Sequence, residues 1–391
     1  MIRGIQFEGR PVWAEVSLSA ITHNLRLIRR KIGAKRKILA VVKANAYGLG
    51  AVEVSKHLAR LGVQAFGVTC SVEGIELREA GIRQPILLLT GFWPGEENRI
   101  LEFNLTPTIA RIDQVRALER AAAKSRARKS RKKFGFHLKI DSGMNRLGIS
   151  PEEIGAFIRE YSACTHLELA GVFTHFASSD DFRSTQNEQQ EKVFSEALSQ
   201  LREARISPGT IHMANSGAIC ARESSTWADM VRPGAVLYGY HQGFEPPEVA
   251  ANVKKDMQLK PCLSFRARII SLREVAIGEP VGYSAKFVAD RPSRIAVIAA
   301  GYADGVVRQR SNRGCVIVRG RLVPLVGTIS MDLSMVDVTD VPGAVVGDIA
   351  TIYGEDGEVA IHADQVARQI GTVTSDLLCA LGRRVPRFYI R

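Results

Sequence analysis

The sequence predicts a (β/α)8 barrel followed by a mostly-β domain. Two features of the pattern carry this. From Lys37 to about Tyr240, short apolar runs alternate with amphipathic helical segments. After about residue 245 the texture changes to Val- and Ile-rich strands separated by glycine turns. The barrel strands are read at Ile38–Val42, Ala65–Val68, Ile86–Leu89, Thr106–Ile109, Phe136–Ile140, Leu169–Thr174, Thr210–Met213 and Ala228–Val231. Helices such as Glu53–Leu61, Val72–Ala80 and Gln186–Ala204 lie between them. Eight strand–helix units over roughly 200 residues are the pattern of a closed parallel barrel, whose site lies at the C-terminal strand ends.

The barrel is expected over 11–245, with Gly243–Pro247 as a connection, and the β domain over 250–391. In that domain, strands are read at Leu263–Leu272, Ser293–Ile298, Gly314–Val318, Arg321–Val326, Met335–Val338 and Asp348–Ile352, with one helix, Ala363–Ile370. Residues 1–18, where Pro11 to Leu18 alternates like a strand, are candidates to join it.

With 391 residues and 46% hydrophobic content the chain reads as a soluble globular enzyme. No apolar run approaches the roughly 18 residues of a spanning helix, which predicts no membrane partner. The N-terminal stretch is charged and lacks the apolar core of a secretory signal, so a cytoplasmic location is expected. Six scattered cysteines form no C-x-x-C pair or Cys/His cluster, so they read as reduced, mostly buried thiols without metal. Of the net charge of +13, seven charges come from Lys124, Arg126, Arg128, Lys129, Arg131, Lys132 and Lys133, leaving +6. This run has no interleaved aromatics and reads as a solvated helix end and loop, with no nucleic-acid role.

The chemistry begins at Lys43. It closes the apolar run Ile38–Val42, where a charge loses hydration unless it has chemical work. The usual work is a Schiff base with a carbonyl compound, commonly pyridoxal phosphate. Lys139, His175 and Arg232 also stand at or just after predicted strand ends, so the barrel pattern itself converges them with Lys43.

The stretch AVVKANAYGLG from Ala40 resembles the lysine motif of alanine racemases, with Leu49 where His is usual. Five more motifs follow in the family's order: KIDSGMNRLG from Lys139, FTHFASSDD from Phe173, ANSGA from Ala214, VRPGAVLYG from Val231, and the pair VGYSA and GYADG from Val281 and Gly301. The resemblance covers nearly the whole chain. It implies racemisation of L- and D-alanine, with pyridoxal phosphate on Lys43 and two bases, Lys43 and Tyr283. It further implies phosphate contacts from Tyr47, Ser216, Gly234 and Ala235. Arg232, buttressed by His175, would face the pyridine nitrogen. Arginine only donates hydrogen bonds, so the cofactor would be a weaker electron sink and transamination would be suppressed.

Arg146 and the Met331 backbone amide would contact the substrate carboxylate, with Asp332 beside them. Arg146 would also favour the Tyr283 phenolate. Lys139 would support Arg146, as a carbamate in many family members. In the family the tyrosine base comes from the other subunit, so a homodimer follows by resemblance, as does supply of D-alanine for peptidoglycan. Two departures stand out: Ser330 replaces a frequent Cys, and Ser375 replaces a phosphate-side Tyr. The loss of that aromatic wall suggests a weaker cofactor grip or a pocket open to serine and larger amino acids, with Tyr302 as partial compensation. The alternatives are therefore a broad-specificity amino-acid racemase, or a non-catalytic pyridoxal-phosphate carrier, which would lack the β domain.

Overall fold

The computed structural model describes residues 9–125, 133–222 and 224–391. Most of the basic run, Arg126 to Lys132, lies outside them. The described residues form two compact units: one holds those within 22–46 and 51–260, the other 9–21, 47–50 and 261–391.

The first strand, β1 (Val12–Ser17), belongs to the second unit. In the first unit, β2 (Lys37–Val41), β3 (Ala65–Val68), β4 (Ile86–Leu88), β5 (Thr106–Ile109), β6 (Phe134–Lys139), β7 (Leu167–Phe173), β8 (Thr210–His212) and β9 (Met230–Val231) pair in parallel. The order is β8-β7-β6-β5-β4-β3-β2-β9, a nearly closed barrel. Across the gap, Asp229 N donates to Ile211 O at 3.0 Å and Arg232 N to Ala214 O at 3.0 Å. The strands are short and apolar because both faces are covered; Ile38, Leu39, Ala40, Phe66, Val68, Ile86 and Leu88 are all buried.

In the second unit, β1 lies between β10 (Leu263–Val275) and the last strand, Arg387–Ile390. The same nine-stranded sheet continues through Ser293–Ile298, Ser334–Asp337, Arg321–Val326, Cys315–Val318, Ile349–Asp356 and Val359–Ile361. Its pairs are antiparallel except β1 with Arg387–Ile390.

Several elements differ from the sequence reading. The helix Pro247–Asp256 begins inside the expected connection, with proline at its first position, where a missing N–H costs nothing. A second C-terminal helix, Thr374–Cys379, accompanies Ala363–Ile370. It is too short to show a helical period. The strands Val359–Ile361 and Arg387–Ile390 are likewise too brief for alternation to register. All six cysteines are free, but only Cys220 and Cys262 are fully buried, and Cys379 is exposed. No helix among the described residues is long and apolar enough to cross a membrane.

Candidate active site

Lys43 leaves β2 into a backbone segment that L-residues avoid. Ala44, Asn45, Ala46 and Tyr47 all have φ between 52° and 56°. Left-handed backbone costs roughly 1–2 kcal/mol per non-glycine residue, so this turn persists only because its surroundings hold it. Ala44 N donates to Glu73 Oε1 at 2.7 Å, and Thr69 N donates to Glu73 Oε2 at 2.7 Å. Ala46 N donates to Val42 O at 2.8 Å, and Asn45 Oδ1 accepts from Ala51 N at 2.7 Å. One buttressing carboxylate, Glu73, therefore fixes the exit of the lysine strand. Sequence reading missed it, because a Glu in the first turn of a helix looks like ordinary helix chemistry.

Around Lys43 the barrel gathers cations. Lys139 is lowered from its ordinary value to about 8, by burial first and then by repulsion from Arg146, Arg232 and Lys43, with Asp141 opposing them. The same four cations, Arg232, Lys139, Arg146 and Lys43, add to burial in holding His175 well below its usual range. Lys139 Nζ lies 5.6 Å and Arg232 Cζ 5.3 Å from the centre of the Phe173 ring.

Asp141 is the acid of this group, and its oxygens are already engaged. They accept from the backbone N–H groups of Gly143, Met144, Asn145 and Arg146 at 2.9–3.1 Å. Burial alone would raise its pKa; these four bonds overcome that and hold it low. The Asp-Ser-Gly turn is the sequence signal for such a cradle. Its effect is to fix the backbone at Arg146.

Arg232 is buried and has no carboxylate partner among the described residues. Its NH2 donates to Met213 O at 2.7 Å, to Thr174 O at 2.8 Å and to His175 Nδ1 at 3.2 Å. Its NH1 donates to His212 Nδ1 at 2.9 Å. Burial lowers it to about 9, still a cation at neutral pH. His212, like His175, is pushed well below its usual range, by burial first and by Arg232 next, so both present neutral acceptors. The sequence reading named His175 beside Arg232 and missed His212.

Ser216 is buried, and its Oγ accepts from Gly234 N at 2.9 Å. That leaves the hydroxyl proton to donate. Ala235 opens the short turn Ala235–Tyr238 next to it.

In the second unit, the Tyr47–Gly50 segment packs on the Thr374–Cys379 helix that carries Ser375. A Cβ on Gly48, whose φ is 80°, would stand 2.3 Å from Leu378 O. Tyr47 is raised to about 12, by burial first and then by Cys379 on that helix. The Gly301 and Ser330 turns are joined by Tyr302 N to Ser330 O and Ala303 N to Met331 O, both 3.0 Å. Asp304, fully buried, accepts from Gly301 N at 2.9 Å and from Arg384 at 2.7 and 3.1 Å, and Arg384 also donates to Asp332 at 2.7 Å. Tyr302, Met331 and Asp332 are thus brought together around an ion pair that sequence reading did not single out.

Tyr283 is different. It sits in an exposed turn, Tyr283–Ala285, is itself 67% exposed, and donates to no protein group among the described residues. No group of three or more His, Cys, Asp or Glu among the described residues could hold a metal ion.

The whole chain matches known proteins. Residues 16–242 match the model of the alanine racemase N-terminal domain and 262–389 that of the C-terminal domain. An alanine racemase of Geobacter sulfurreducens is 40% identical over 389 residues, covering 98% of each chain. The biosynthetic alanine racemase structure of Pseudomonas aeruginosa superposes with a TM-score of 0.83 at 36% identity, over 98% of this chain and 100% of that one. An alanine racemase of Bartonella henselae, with covalently bound pyridoxal phosphate, gives 0.84 at 30% identity, over 97% and 99%.

Proposed function

The chain belongs to the alanine racemase family, and from that premise we propose that it interconverts L- and D-alanine with pyridoxal phosphate on Lys43. The cofactor, when bound, supplies the electron sink that makes the alanine α-proton removable. The observation that carries the reading is the surplus of cations. Lys43, Arg146 and Arg232 all act on Lys139, and the acid that opposes them, Asp141, has its oxygens engaged by backbone amides. Such a site suits a phosphate dianion and a substrate carboxylate.

Each residue then has a task. Arg232 would donate to the ring nitrogen and leave it unprotonated, which would make the cofactor a weaker electron sink and favour reprotonation at Cα over transamination. Ser216 Oγ, the Ala235 N–H, Gly234 and Tyr47 hold the phosphate. Arg146 and the Met331 N–H hold the substrate carboxylate, with Asp332 and Lys139 as supports. Lys43 and Tyr283 are the two bases, one for each face of the substrate. Tyr283 serves the site of a second copy, which makes the working enzyme a homodimer with composite sites. Tyr302 and Ser375 border the entrance. The reading carries with it a cytoplasmic enzyme supplying D-alanine for peptidoglycan. A broader amino-acid racemase is the second reading, favoured by Ser375 standing half-buried on the helix beside Tyr47.

The test is incubation of L-alanine with the protein and pyridoxal phosphate in D2O. D-alanine carrying deuterium at Cα, seen by chiral chromatography and proton NMR, is the expected result. Neither D-alanine nor exchange, with cofactor bound, would overturn the alanine assignment. The same assay with L-serine separates the two readings.

A further inference from the structure

The barrel's other end holds a cavity of about 660 Å³, lined by the starts of its strands. That is the size of a small-molecule site. Its wall includes Lys37, Arg78, Arg83, Lys133 and His137, against one acid, Glu168. Lys37, Arg83 and Lys133 form no ion pair among the described residues. Arg78 is pinned: its guanidinium donates to Phe103 O, Ile82 O, Gln84 O and Asn104 O at 2.7–3.0 Å, so its charge is fixed without an acid beside it. The N-terminal face of such barrels ordinarily serves stability. A ring of uncompensated cations works against stability and in favour of an anion.

His137 links this cavity to Arg232. Arginine has only donors, so His212 Nδ1 must accept the Arg232 bond. A neutral His212 then carries its proton on Nε2 and donates to His137 Nδ1, 2.8 Å away. That fixes the His137 proton on Nε2, where no acceptor exists among the described residues. The ring fits because β7 offers Gly171 opposite it; a Cβ there would stand 2.6 Å from His137 Cε1. Thr108, the register partner of His137 on β5, has a buried hydroxyl that is also without a partner. His137 therefore brings to the cationic cavity an N–H with no protein acceptor among the described residues.

We propose that the N-terminal mouth of the barrel is a second ligand site, for a small phosphorylated anion, and that its occupancy is relayed through His137 and His212 to Arg232. The phosphate oxygens meet Lys37 and Arg83 at the rim and accept the His137 Nε2 proton within. An anion there makes His137 a better acceptor for His212, and His212 a better one for Arg232.

The test uses the holoenzyme, so that the site proposed for the cofactor phosphate is already filled. Calorimetric titration is run with inorganic pyrophosphate and, separately, with ADP. Saturable binding of either, weakened at least about tenfold in Lys37→Glu/Arg83→Glu and retained in the exposed control Arg273→Glu, supports the site. Tighter pyrophosphate means that the phosphates suffice; tighter ADP means that an attached ring adds contacts. No saturable binding of either, or equal loss in Arg273→Glu, overturns it. With 15N-labelled histidine, the His137 and His212 imidazole signals should move together on saturation. Binding that leaves His212 unmoved overturns the relay. The binding result stands whether or not Arg232 serves the cofactor.

Discussion

The Lys43 region and the Tyr283 region are built in opposite ways. Both use left-handed backbone: Ala44 to Tyr47 after the lysine, Ser284 and Ala285 after the tyrosine. Around Lys43 the strained turn is tied to Glu73 and Val42. Around Tyr283 the residues Gly282 to Lys286 are all exposed, and the tyrosine hydroxyl bonds to no protein group among the described residues. Strain held by neighbours in the same chain marks the half of a site that one copy builds by itself. Strain presented to solvent calls for a surface from elsewhere, which is how we read Tyr283.

That contrast can be broken by mixing variants. Lys43→Ala should lower racemisation by about four orders of magnitude, and Tyr283→Phe by about two to three, because each removes one of the two bases. If the sites are composite, a hybrid of the two variants contains one site with both bases intact. Exchanging subunits in an equal mixture should then restore about one quarter of wild-type activity. If each chain completes its own site, the mixture stays inactive, and our reading of Tyr283 fails.

A second variant tests what the buried ion pair of the β unit holds in place. Asp304 is fully buried between Arg10, at 3.3 Å, and Arg384, at 2.7 Å. Asp304→Asn leaves Arg10 without an acid and Arg384 with Asp332 alone, and should cost about 2–3 kcal/mol in chemical denaturation. Because Arg384 also holds Asp332 beside Met331, KM for alanine should rise more than kcat falls. An unchanged KM would mean that the Met331 turn is held by its backbone bonds alone.

Much of this architecture was legible in the sequence, for identifiable reasons. The barrel strands are buried on both faces, so they read as continuous apolar runs ending at Lys43, Lys139 and Arg232. The supports were not legible. His212, Glu73 and Arg384 act through bonds to residues 20, 29 and 80 positions away, at Arg232, Ala44 and Asp304. No local pattern encodes such pairs. The cavity at the N-terminal mouth escaped for the same reason, since its cations come from different strand–helix units.

Lys139 sharpens the contrast from the barrel side. Its folded value of about 8 lies below its ordinary 10.5, so between these pH values the unfolded chain binds more protons than the folded one. Burying the cation therefore costs stability in full below pH 8, and the cost fades as pH rises toward 10.5. In CO2-free buffer, Lys139→Met should be the more stable protein at pH 7, by about 1–3 kcal/mol, and should lose that advantage by pH 10.5. Bicarbonate should narrow the gap at pH 8 if the lysine takes up CO2 as a carbamate. A gap independent of pH would show that packing, not charge, separates the two proteins.

The smallest expected effect concerns the entrance. Ser375 stands half-buried on the helix that packs on Tyr47–Gly50. A serine there keeps a hydroxyl and leaves out an aromatic ring. Pocket contacts of that size separate substrates differing by one small group by about tenfold. Ser375→Tyr should therefore raise the alanine-to-serine ratio of kcat/KM by about that factor and tighten the cofactor, measured as slower loss of pyridoxal phosphate on dialysis. If the ratio does not move, the wall of the pocket is set by other residues, with Tyr302, 42% exposed on its turn, the first to replace.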